Sequence, residues 1–225
     1  MSNVKQGAVA LPFRQGVVAL ALACCASGAL AGEAPRLTNL YVIPVRAGMN
    51  TVTDFTLDGG RAVITRAWRD NGKTQGFNVF TVTMPERAPA EGPPRRNWDF
   101  VSFFDGDKEA LALTDSPHDE QTYLRSIRFA KGKLDDRTET LTLIAERDMA
   151  GTKSVGDAAP VSIQVFALRA RAEDASAGRP AHYFERIATF KSQRRYCNAE
   201  IALTVELNLP MPRGWPGNKV PDGCP

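Results

Sequence analysis

The chain has 225 residues, with 28 Lys and Arg against 25 Asp and Glu and a formal net charge of +3. So even a balance argues against a dedicated nucleic-acid or polyanion binder, which needs a one-sided excess of basic residues. The length suits one domain, or two small ones sharing a core.

The N-terminus reads as an export signal. Lys5 and Arg14 give a positive start, Gly16 to Leu30 carry no charge, and Ala29-Leu30-Ala31 has the small-residue pattern cut by signal peptidase. The apolar run is shorter than the ~20 residues of a membrane span. The expected parts are therefore a signal peptide over 1–31 and a single secreted domain over 32–225. Ala21-Leu22-Ala23-Cys24 keeps a second route open, lipid anchoring at Cys24 or Cys25. Removing the signal takes away Lys5 and Arg14 and no acid. The charge then falls to 28 less 2, against 25, or +1.

Beyond Ala31 the periodicity is mostly two. Strands are predicted over 40–46, 61–69, 77–84, 98–104, 124–130, 140–143, 161–168 and 182–190. Val, Ile, Thr and aromatic residues fill them, and Gly, Pro, Asn and Asp punctuate them. Phe80, Val82 and Met84 alternate with Phe77 and Val79, which predicts a strand buried on both faces. Residues 86–96 and 173–178 read as surface loops. Ile201, Leu203, Val205, Leu207 and Leu209 alternate like a strand, yet Asn198 is placed to cap a helix, so 198–209 is left as strand or helix. The expected class is mainly β, an antiparallel β-sandwich or open barrel with at most short helices. Ala67-Trp68-Arg69-Asp70 and Ala145-Glu146-Arg147-Asp148 share A-x-R-D at a strand end, and similar loop and strand patterns follow each. This raises the alternative of two β-meander repeats, 50–110 and 123–197.

Outside the signal only Cys197 and Cys224 remain. In an oxidising compartment the pair reads as one disulfide that staples the Pro-rich tail. Only two histidines exist, His118 and His182, too few and too distant for the usual zinc set. The chain has no G-x-S-x-G, and its one S-x-x-K, Ser2 to Lys5, lies in the signal. No catalytic residue, cofactor or metal is therefore expected. Three polar constellations remain. Arg69-Asp70-Asn71 fits a ligand carboxylate, a bound cation or a fastened turn. Asp105 and Asp107 fit a weak Ca²⁺ loop or a Gly turn before a helix N-terminus. Arg147-Asp148, with Asp157 beyond a Gly-containing loop, mirrors the first.

Several of these segments, in this order, resemble the small periplasmic carbapenem self-resistance proteins, the CarG-like family. They are Ala67 to Asn71, Gly76 to Thr81, Phe104 to Glu109, Ala145 to Asp148, Asp157 to Val161, Gly178 to Ala181 with Tyr183-Phe184, and Tyr196-Cys197. The match runs from about Asn50 to Cys197. Three features depart from the family: Asp58-Gly59-Gly60 replaces a longer acidic run, Gln75 stands where His is common, and Gln121 where Cys is common. The resemblance implies a periplasmic protein that protects a cell from a carbapenem without a β-lactamase. Its partner would be a β-lactam or a cell-envelope target. Because a carbapenem carries a carboxylate, Arg69 and Arg147 become the expected donors, oriented by Asp70, Asn71 and Asp148. The rival expectations are a periplasmic hydrolase using Asp70, Asp105, Asp107 and Asp148, and a structural envelope partner.

Overall fold

The computed structural model describes residues 36–72, 74–86, 97–117, 122–172, 178–211 and 222–224. The expected signal over 1–31 with Cys24 and Cys25, His118, Gln121 and most of residues 86–96, 173–178 and the Pro-rich tail lie outside these. Among the described residues the chain forms thirteen strands and one helix. It begins with β1 (Leu37–Ile43), β2 (Gly48–Val52), β3 (Ala62–Asn71), β4 (Thr74–Pro85) and β5 (Trp98–Phe100). Four short strands follow: β6 (Ser102–Asp105), β7 (Lys108–Ala110), β8 (Leu113–Thr114) and β9 (Ser116–Pro117). The long strands are β10 (Tyr123–Leu134), β11 (Arg137–Arg147), β12 (Ala159–Ala170) and β13 (His182–Tyr196), and α1 (Ala199–Glu206) comes last.

Two open sheets result. The larger runs β1-β10-β11-β12-β13-β6-β7, with β9 beside β10. The smaller runs β2-β3-β4-β5, with β8 beside β4. All pairings are antiparallel except β13 with β6. Neither sheet closes on itself, so of the two expected architectures the sandwich is the one formed.

The alternation in the sequence explains the layering. On β11, Ile144 joins a core shared with Ile64, Phe80 and Val82 of the smaller sheet. Its neighbours Leu141, Leu143 and Ala145 face the other way, into a second core with Ile201, Ala202 and Leu203 of α1. The larger sheet is thus covered on both faces, by the smaller sheet and by the helix. Period two is kept, but both phases are apolar. Burying a Leu or Ile side chain stabilises by about 1.5–3 kcal/mol, so this central strand carries much of the fold. Phe103 stacks on Phe184 with centroids 5.0 Å apart, and Phe55 meets Phe184 edge-on.

One open alternative is settled and three sequence expectations change. The segment after Asn198 is helical. Asn198 accepts from the backbone N–H groups of Glu200 and Ile201, and helical spacing sends Ile201, Ala202 and Leu203 into the second core. β4 is buried on one face only, with Phe77 and Val79 half-buried on the other. Predicted strand 98–104 is broken into β5 and β6, which join different sheets. Phe104 to Glu109 leads into β7 through a hairpin turn at Gly106, not into a helix.

Candidate functional site

A cleft opens where β1 stops. Its last pairing is Ile43 with Phe129, and Pro44 then turns the chain toward β2. Further along β10, β9 pairs only with Tyr123 and Arg125. Residues 126–128 therefore have no strand on that edge, and a cleft of about 750 Å³ occupies the gap. Its apolar lining includes Ile43, Val45, Phe80, Phe129, Pro210 and Met211.

The polar lining comes from two places. On β3 the inward phase runs Ala62, Ile64 and then Arg66; on β4 it runs Met84, Val82, Phe80 and then Asn78. The apolar series thus ends in a polar pair next to the cleft. Asn78 donates from its backbone N and its Nδ2 to the two oxygens of Asp115, each at 2.8 Å. With Nδ2 held by Asp115, the amide Oδ1 points at Arg66 and accepts from its Nε at 2.9 Å. The guanidinium carbon of Arg66 sits 5.8 Å from the Phe80 ring centroid. Asp115 is only 5% exposed. Burial pushes its carboxyl up, against the opposing pull of the Asn78 hydrogen bonds and Arg66.

The second polar group lies on the helix side of β10. Arg128 and Glu200 form a buried ion pair, with Arg128 Nε 2.6 Å from Glu200 Oε1. The Ser126 hydroxyl donates to Glu200, and Arg128 also donates to the Pro210 carbonyl and to Thr204 Oγ1. These two charges are matched to each other. Among the described residues, no carboxylate forms an ion pair with Arg66.

The residues expected from sequence lie elsewhere. Arg69 is exposed and rests 5.3 Å from the Phe77 ring centroid. Asp70 accepts from the backbone N of Gly72 and so closes the β3–β4 turn, while Asn71 donates to the Gln75 carbonyl. Arg147 is buried, at 4% exposure, in the larger sheet. It donates to the backbone carbonyls of Tyr196 and Asp157, and burial lowers its pKa. It straps the loop between β11 and β12. Asp148 is exposed and accepts from the backbone N of Ala150. Asp157 turns its carboxylate back on its own loop, to the N–H groups of Lys153 and Ser154. Both A-x-R-D motifs end a strand that pairs with the next one, but in different sheets and with opposite burial of the Arg.

Asp105 pairs with Arg186 at 2.6 Å, and exposed Asp107 shares its hairpin turn. Asp70 and Asp148 belong to other turns, and among the described residues no three His, Cys, Asp or Glu side chains come together. Cys197 and Cys224 are bonded, with their Cα atoms 4.9 Å apart. Among the described residues no helix is long and apolar enough to cross a membrane.

Sequence reasoning missed Arg66, Asn78 and Asp115. The available signal was phase: Arg66 and Asn78 interrupt the apolar series of neighbouring strands.

No family model matches the chain, and no curated protein matches it. Among solved structures the chain is similar to CarG, at 15% identity and a TM-score of 0.55. The match covers 73% of this chain and 94% of that one. At this identity the likeness establishes a CarG-like fold.

Proposed function

We propose that this is a periplasmic binding protein of the carbapenem intrinsic-resistance type, protecting the cell by holding the antibiotic or shielding its target. Hydrolysis is not part of this reading. The CarG-like fold is the observation that carries it, and the ordered sequence motifs support it. Export would follow cleavage after Ala31, leaving a single secreted domain, and the Cys197–Cys224 pair suits an oxidising compartment. The seat of the ligand in this reading is the cleft beside β10, which falls within the roughly 300–1,000 Å³ of small-molecule sites. Arg69 and Arg147 serve the β3–β4 hairpin and the loop between β11 and β12, so ligand contact is moved away from them.

Expression of the full chain in a carbapenem-sensitive host tests the reading. Survival at otherwise lethal antibiotic should rise, while the purified protein leaves a chromogenic β-lactam intact. Turnover would instead make it a hydrolase. Neither survival nor turnover would point to an envelope partner, to be sought by pull-down from periplasmic extract.

A further inference from the structure

We propose that Arg66 anchors the carboxylate of a small organic anion seated in the cleft, through its two Nη groups. The inference rests on the binding reading above and gives it a residue and a ligand chemistry. Arg66 is held from behind. Its Nε is committed to Asn78, and Asn78 is oriented by both oxygens of Asp115. A guanidinium fixed at Nε and resting over Phe80 presents its two Nη groups as an end-on fork. That fork matches the two oxygens of a carboxylate.

Charge in the cleft favours an anion. Its lining carries Arg46, Arg66 and Arg128 against Asp115 and Glu200. Glu200 is neutralised by Arg128, and Asp115 spends its oxygens on Asn78. Asp115 acts on Arg66 only through space, with Asn78 between them. Arg66 forms no ion pair among the described residues and is half-buried, where screening by water is weaker than at the surface. Three cations against two carboxylates leave the lining one positive charge in excess. Ile43, Phe80 and Met211 provide an apolar wall for the body of the ligand. The ligand class is thus a compact monoanion with one carboxylate and a largely apolar frame.

Calorimetric titration of the exported protein with a carbapenem, and with the methyl ester of the same compound, tests the anchor. Wild type should prefer the acid by roughly 10- to 100-fold, the usual worth of a charged hydrogen-bond pair. Arg66→Gln should bind acid and ester alike, while Arg69→Gln keeps the preference. A folded Arg66→Gln protein with undiminished acid preference would overturn the proposal. Should Arg66→Gln not fold, Arg66→Lys keeps the charge without the fork. Reduced preference is expected there, and an undiminished one refutes the anchor.

If wild type binds neither compound, the carbapenem reading fails and the cleft is probed by itself with 1-anilinonaphthalene-8-sulfonate, an apolar anion. Fluorescence enhancement lost in a folded Arg66 variant would keep the anion site. Enhancement independent of Arg66 would end it.

Discussion

At the scale of single residues, two clusters of buried polar groups border the cleft, and each has a measurable signature. Burial raises the Asp115 carboxyl above its ordinary value, so the folded state holds that proton more tightly than the unfolded chain. The sign follows by linkage. Its contribution to stability is fully present below the unfolded pKa of about 3.9, and is lost as pH rises through the raised folded value. The melting temperature of Asp115→Asn, followed from pH 3 upward, should lack this loss. A variant profile parallel to wild type would contradict the assignment. Arg128 and Glu200 behave differently, because each neutralises the other where little of either side chain reaches water. Glu200→Ala leaves a buried guanidinium without its carboxylate and should cost about 3–5 kcal/mol by denaturant titration. The double variant Arg128→Met with Glu200→Leu should recover most of that loss. Arg66 and Asn78 were legible in principle, as polar letters in an apolar phase. The partner was not, because Asp115 lies 37 residues from Asn78 and only folding brings β8 beside β4. The Arg-Asp motifs did not disclose their surroundings for a related reason. An Arg beside an Asp in sequence tells nothing of burial, and here one Arg is exposed on a hairpin and the other is buried under a loop.

At the scale of elements, the position of α1 decides the shape of the cleft. The helix contributes Glu200 to the wall and leads into Pro210 and Met211. Its start is held twice, by the Asn198 cap and by the disulfide from Cys197 to Cys224. The Cys197 backbone N also donates to the Asp222 carbonyl at 2.9 Å. Reduction should therefore lower stability by roughly 3 kcal/mol in the chain-entropy account. The same treatment should speed hydrogen exchange in α1 more than in β11; uniform acceleration would count against the coupling. Gly223 gives a second handle on this joint. Its φ is +67°, and a Cβ there would lie 2.8 Å from Asn198 Cβ and 2.9 Å from Ile201 Cγ1. Gly223→Ala should reproduce part of the effect with the disulfide intact. The long strands were readable because β-branched and aromatic residues recur at period two. The short β7, β8 and β9 were not, since two or three residues carry no period. The helix stayed ambiguous because Ile201, Leu203 and Val205 also fit a strand. Tertiary burial against β10 and β11 settled what local pattern left open.

At the scale of the whole molecule, the two open sheets and the helix of the described residues build a scaffold whose larger sheet is covered on both faces. That coverage leaves the gap between β1 and β9 as the place where polar groups of both layers meet solvent. A fold of this kind, shared with CarG, can present a ligand seat without a catalytic set, and protection in this account needs no metal. EDTA should accordingly leave carbapenem protection unchanged, and its loss on chelation would call for a metal-dependent mechanism. The most direct measurement is the fate of the drug itself. The protein is incubated with a carbapenem, separated by ultrafiltration and denatured, and the released compound is analysed by mass. The account predicts that the drug is retained with the protein and released intact. Release of the ring-opened product, one water heavier, would contradict it, and passage of the drug through the filter unbound would contradict the holding of the antibiotic and the ligand seat in the cleft.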